Sequence, residues 1–376
     1  MKTEDKDLIV MKLLHYFITE KNYNPVVVHG IQNEIWLENM DSDFRIVRIV
    51  LNYIHNKEQL DFDNFKVSKL SKQIKQKTFT FSMKVLSLYL DVNEDLKAFD
   101  NKINTMIMVR KESDITNNQI INNTFSDISE KLKFTEEGQM LYQKINNDIL
   151  RKNIDTSEKM NELFSDKKPI VTYVLIGVMT IIMISMYIFG NGSDDIETLY
   201  NFGALVKNGN PIRLITSIFL HIGLFHFLAN MYSLKILGET TERFYGHFKT
   251  IVIFLYSGII GNLLSVVLMN ENVISAGASG SIFGLMGALL YFSLNQRTYM
   301  SEALRKQIIP IIILNLFLGF TLSGINMFAH IGGLIGGILI SMALGIKYKE
   351  NKTEKINGII CSVLLAGILI YLSYFM

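Results

Sequence analysis

A single cysteine, Cys361, among 376 residues excludes an internal disulfide framework and any thiolate metal site built within one chain. A dominant charge sign is also missing. Lysines and arginines number 37 against 35 aspartates and glutamates, and no basic stripe forms, so nucleic acid is not an expected partner. The opening stretch MKTEDKDLIVMKLL is charged and its first apolar run is cut by Lys12, which is unlike a secretory signal. Insertion into a membrane is therefore expected to be driven from within the chain. No phosphate-binding loop and no H-E-x-x-H spacing occurs, so neither a cofactor nor a metal is expected. The absence of internal repeats counts against a transporter.

What is present divides the chain in two. Hydrophobic residues make up 49% and charged residues 19%, the balance of a soluble portion joined to a membrane portion. Charges are frequent up to Asp166, and from Pro169 onward they gather between long apolar runs. Residues 1–165 read as an α/β domain large enough to bury its own core. LIVMKLLHYFITE and NFKVSKLSKQIKQK have helical periodicity, as does 126–164, while PVVVHG, EIWLENM, FRIVRIVL, KVLSLYLDV and INTMIMVRK have strand character. Glu34, Asp41 and Asp43 with Arg45 are expected to form a solvated face rather than a nuclease-like carboxylate cluster.

Seven segments are long and apolar enough to be membrane spans: 169–189, 222–238, 250–269, 279–295, 307–323, 326–346 and 357–376. The expected organisation is a cytoplasmic domain at 1–165, a six-helix core at 166–346 and an additional helix at 347–376. Arg243, Lys249, Arg297, Arg305, Lys306, Lys347, Lys349, Lys352 and Lys355 fall in alternate connections, whereas 270–278 and 324–325 have no basic residue. The positive-inside rule then places the N-terminal domain in the cytoplasm and the C-terminus outside.

In that topology spans two, four and six all enter from the outer face. Each carries its polar groups near its start: His226 and Asn230, Ser279, and His330. Polar and ionisable groups at membrane depth mark a cavity or functional site. Ser279, in ISAGASGSIFG, opens a short span, where free helix N–H groups suit a developing oxyanion. His330 is the candidate base. Gly280, Gly284 and Ala288 on span four face a matching stripe of Gly332, Gly333, Gly336 and Gly337 on span six, spacing that lets membrane helices approach closely. His226 and Asn230, four residues apart, are candidate oxyanion donors. Spans four and six contain no Asp or Glu, so the arrangement is a Ser-His dyad and not a triad. His221 is read as a structural histidine at the helix entrance, and a metal held by His221, His226 and His330 is disfavoured because no carboxylate accompanies them.

GASGSIFGLMG, NMFAHIGGLIGG and FLHIGLFHFLANMYSLKILGETTERFYG together resemble the rhomboid intramembrane serine proteases over about 168–346. The resemblance implies that Ser279, between Gly277 and Gly280, is the nucleophile, His330 the base, and His226 and Asn230 the oxyanion donors. It implies further that Phe283 stacks on the histidine, that Arg213 is the structural arginine of the first outer loop, and that Glu242 belongs to the Gly238 to Gly246 motif. Ile212 stands where the family often has tryptophan. The N-terminal domain and seventh span are similar to those of a Gram-positive bacterial subgroup. The implied activity is cleavage, in the plasma membrane, of transmembrane protein substrates near their outer ends. The alternative is a non-proteolytic adaptor that delivers membrane proteins to another protease, with 1–165 docking a cytoplasmic partner.

Overall fold

A computed structural model describes residues 3–375 except 29, 79–82, 94, 97–102, 166–167, 208, 269–273, 297–298, 322–324 and 349–351. Arg297, Lys349, residues 270–273 of the 270–278 connection and residue 324, used above for orientation, lie outside the described residues. Two compact units are present, Met1–Glu158 and Lys159–Met376.

The first unit runs α1 (Thr3–His15), a π-helical turn (Tyr16–Glu20), β1 (Asn24–Val26), β2 (Glu34–Glu38), β3 (Ile46–Val50), α2 (Lys57–Thr78), β4 (Val85–Tyr89), β5 (Asn104–Met108), α3 (Glu112–Thr116), α4 (Gln119–Thr124), α5 (Ile128–Lys131) and the start of α6 (Gly138–Phe164). The five strands lie in sequence order, with β1, β2 and β3 antiparallel and β3, β4 and β5 parallel. Every residue of β3 and β4 is buried, which explains why IVRIV and VLSLY read as continuous β-branched and apolar runs rather than alternating ones. All five expected strands are found. The helix expected over 126–164 is two helices, α5 and α6, separated after Leu132, and Gly138 opens α6 at a φ of +56°.

One expectation for this unit is corrected. Glu34 does not belong to a solvated face: its side chain is buried under Arg48, whose Nε donates to Glu34 Oε2 at 2.6 Å. The Arg48 guanidinium also donates to both oxygens of Asp63, at 2.6 and 2.7 Å, and Tyr89 donates to Asp63 at 2.7 Å. Lys66 closes the cluster on both carboxylates, and the indole of Trp36 donates to Glu34. A charge buried this deeply persists only when it is paired and hydrogen-bonded. Burial alone would push the Glu34 and Asp63 carboxyls up, but the Arg48 hydrogen bonds and charge outweigh it and hold both below the usual range. Their contribution to stability is thus complete above the unfolded carboxylate values of about 4 and is lost as pH falls through the lower, folded values. Fluorescence of Trp36, the only tryptophan, should stay native down to about pH 4 and report unfolding only below it; a transition centred near neutrality would contradict this.

The second unit begins with α7 (Ile170–Ile188), followed by the short α8 (Ile196–Phe202) and α9 (Arg213–Thr216), then α10 (Leu224–Leu268), α11 (Ser279–Asn295), α12 (Tyr299–Thr321), α13 (Met327–Leu344) and α14 (Lys352–Phe375). Helices α7, α10, α12, α13 and α14 are long and apolar enough to cross a membrane, and α11 is a shorter apolar helix. The 45-residue α10 is two helices meeting at Gly246, whose φ of +78° and ψ of 171° turn the chain without a loop. Expected spans two and three are therefore contiguous, and each of the seven expected spans falls on one of these helices. Helix α12 starts earlier than expected and carries Pro310 internally.

Three charged groups secure the ends of these helices. Glu242, fully buried, accepts hydrogen bonds from the backbone N–H groups of Val171 and Thr172 and from Thr172 Oγ1, at 2.8, 2.9 and 2.7 Å. It so caps the positive N-terminus of α7. Lys249 donates to the carbonyls of Leu344 and Gly345 at the C-terminus of α13, at 2.9 and 2.8 Å. Arg213 donates to the carbonyls of Tyr200 and Ala204, both at 2.8 Å, and lies 4.1 Å from the Tyr200 ring centroid, tying α9 to the end of α8. Helix α14 packs on the others through Leu369, which shares a core with Leu205, Leu214, Ile260 and Leu263.

Candidate active site

Helices α10, α11 and α13 meet through glycine. A β-carbon on Gly333 would run into the Gly280 carbonyl, one on Gly337 into the Gly284 carbonyl, and one on Gly287 into the Leu334 carbonyl, while Gly280 itself lies 3.2 Å from the Ala329 carbonyl oxygen on the same measure. Backbones in this kind of contact need residues without side chains. The second half of α10 joins in, with Gly258 against Ser281 and Gly261 against Ala329. This packing brings the start of α11 beside the start of α13, and with them Ser279 and His330.

A cavity of about 1010 Å³ opens at this junction, and its wall includes Ser279, His330, His226, Asn230, Gly277 and Phe283. His330 is buried and its ring stacks on Phe283, with centroids 4.3 Å apart and planes 16° from parallel. Its Nδ1 has no hydrogen-bond partner among the described residues, so the imidazole is oriented by stacking and not by a third, acidic group. Ser279 and His330 face the same space without a hydrogen bond between them, so the contact expected at about 2.6 to 3.2 Å is not formed in this arrangement. Serine–base hydrogen bonds are commonly longer before substrate binds.

The serine begins its helix without a side-chain cap, which leaves the first amides of α11 free of intrahelical partners at the cavity wall. Asn230 gives one amide proton to the His226 carbonyl at 2.9 Å, which leaves its second for the cavity. Gly277, at φ +150°, lets the chain pass under the His226 ring, and a β-carbon there would sit 2.8 Å from the imidazole Cε1. The loop before Ser279 is fastened on several sides. Ser275 pairs with Leu205 through both backbone bonds, the Gly277 N–H donates to the Ser217 carbonyl at 3.0 Å, and the Ala278 N–H donates to His221 Nε2 at 3.4 Å. His221 therefore holds the loop as a buried acceptor, edge-on to His226, while Arg213 and Glu242 lie outside the cavity wall. No group of three or more His, Cys, Asp or Glu is arranged to hold a metal among the described residues.

The family model for the rhomboid domain matches residues 208–347, which carry all four of the cavity's polar side chains named above. Rhomboid protease GluP of Bacillus subtilis (strain 168) is 30% identical over 364 residues, 92% of this chain and 71% of its own length. This chain belongs to the rhomboid protease family. Putative rhomboid protease YdcA of the same organism is 38% identical over 158 residues, covering 42% of this rhomboid and 78% of YdcA. Rhomboid-like protease 1 of Toxoplasma gondii is 34% identical over 163 residues, covering 41% and 53%. The likeness to GluP, unlike the other two, takes in the N-terminal unit of this rhomboid as well as its membrane helices.

Two residues of the site escaped the sequence reading. Asn262 donates to the Leu214 carbonyl and to Ser217 Oγ, at 2.8 and 2.9 Å, and Asn326 caps α13. Each lines the cavity. An asparagine inside an apolar span and an asparagine immediately before MFAHIGG were the available signals.

Proposed function

We propose that this rhomboid is an intramembrane serine endopeptidase that cuts transmembrane segments near their outer ends with Ser279 and His330. The observation that carries the proposal is the gathering of Ser279, His330, His226 and Asn230, from three different helices, on the wall of one cavity. Ser279 Oγ attacks the scissile carbonyl carbon as His330 takes its proton. The oxyanion is received by the Ser279 N–H, His226 and Asn230. The C–N bond then breaks as His330 returns the proton to the leaving amine, and water admitted through the cavity hydrolyses the acyl-enzyme by the same base. Loop charge supports an outward-facing cavity and a cytoplasmic N-terminal unit. A substrate segment must unwind to present a peptide bond here, which favours small residues and weak helix propensity at the cut.

A fluorescent fluorophosphonate applied to the purified protein in bilayers tests the proposal without knowledge of the substrate. Wild type should label, and Ser279→Ala and His330→Ala should not. If folded wild type stays unlabelled while another active rhomboid labels beside it, the proposal is lost and the adaptor role, with docking through residues 1–165, takes its place. Asn230→Ala should label more slowly by roughly 10² to 10³, the usual loss for one oxyanion donor; a wild-type rate would remove Asn230 from that role.

A further inference from the structure

We infer that Asn326 is a positioning residue that fixes the separation of Ser279 from His330 by clamping the two segments that carry them. The inference rests on the dyad reading above. Asn326 lies one turn before His330, and its side chain is fully committed. Oδ1 accepts from the Ala329 N–H at 3.1 Å, while Nδ2 donates to Ser275 Oγ at 2.8 Å and to Ser265 Oγ at 2.6 Å. Its carbonyl also accepts from the His330 N–H, at 3.3 Å. One residue thus holds the first turn of the histidine helix, the loop four residues ahead of the serine, and the buried face of α10.

The geometry gives this clamp a specific task. The ring of His330 has a stacking partner but no hydrogen-bond partner at Nδ1, and no hydrogen bond links it to Ser279. The distance between nucleophile and base is consequently set by backbone placement and by the stacking of the ring on Phe283. Below the cavity the glycine contacts fix that placement, beginning at Gly280 and Ala329. At the open end, the side chain of Asn326 spans from α13 to the pre-serine loop. Ser275 is a suitable receiver because its N–H and its carbonyl are both bonded to Leu205, so the clamp closes on a fastened residue and not on a free loop. A shift of about 1 Å in a near-attack pair costs on the order of 10² in rate.

The test is the kinetics of fluorophosphonate labelling in the full-length protein, separated into probe affinity (KI) and the maximal labelling rate (kinact). Asn326→Ala should lower kinact by about 10 to 10² with KI unchanged and the protein still folded. Ser275→Ala, which leaves the helix cap in place, should lower kinact by a smaller factor and add nothing in the Asn326→Ala background, since both remove one contact. Wild-type kinact in Asn326→Ala, or losses that multiply in the double variant, overturns the clamp. If Asn326→Ala fails to fold, Ser275→Ala alone decides, and an unchanged kinact there overturns the inference equally. Ser279→Ala runs beside them: labelling that survives in it defeats the dyad reading, whereas labelling lost in it while Asn326→Ala reacts normally defeats only the clamp.

Discussion

Gly333→Ala should leave a protein that no longer reacts with a fluorophosphonate. A β-carbon at this position meets the Gly280 carbonyl oxygen, with the carbonyl carbon at 2.7 Å and the Gly280 Cα at 3.1 Å. All three are backbone atoms, so no side chain can swing aside. Helices α11 and α13 must separate, and their separation pulls Ser279 from His330 directly. Overpacking of a close-packed core costs about 1–3 kcal/mol even where side chains can adjust, so thermal stability should fall together with labelling. Gly177→Ala supplies the contrast. It lies within α7 with nothing within 4 Å of the added carbon, and alanine in a helix interior is favoured over glycine by up to about 1 kcal/mol. This variant should label normally and melt no lower than wild type. Normal labelling by Gly333→Ala would mean that the two helices have slack that the glycine contacts deny.

Arg48→Met should be the most damaging single change in the N-terminal unit. It strips both Glu34 and Asp63 of their main partner and leaves two carboxylates buried beside a half-exposed Lys66. Removing one member of a buried ionic group costs about 3–5 kcal/mol, because the remaining charges are left uncompensated. Denaturant unfolding of the intact protein, followed by Trp36 fluorescence, should show the midpoint fall accordingly. Adding Glu34→Gln and Asp63→Asn should recover much of the loss, since the unpaired charges are then gone. An unmoved midpoint in Arg48→Met would show that the cluster contributes nothing to stability.

The membrane core was legible because its chemistry is sparse. In helices made of Leu, Ile, Phe and Gly, the few Ser, His and Asn residues stand out, and loop charge with segment order leads one to expect Ser279, His226, Asn230 and His330 at one level. The five strands of the N-terminal unit were legible for the related reason that β-branched runs such as IVRIV have few other homes. What stayed hidden depends on distant partners. Glu34 and Asp63 are 29 residues apart and come together only through Arg48, so pattern alone made Glu34 a surface residue. Asn326 went unremarked, because the bonds that give it importance go to Ser265 and Ser275, which no periodicity connects to it. The turn at Gly246 was hidden too: hydropathy shows two spans and a polar interval, but not that the interval is itself helical.

That corner implies an uneven stiffness. Within a few residues of Gly246, Glu242 holds the beginning of α7 and Lys249 holds the end of α13, so three helices are fastened at one end of the bundle by buried or shielded charge. The other end of α13 borders the cavity. A bundle built this way has little compliance at the fastened end, and displacement there should be small when a substrate helix enters. Nearly all the strain of admitting a peptide segment would then fall on the helix ends around Ser279 and His330, the same ends whose spacing the proposed dyad depends on.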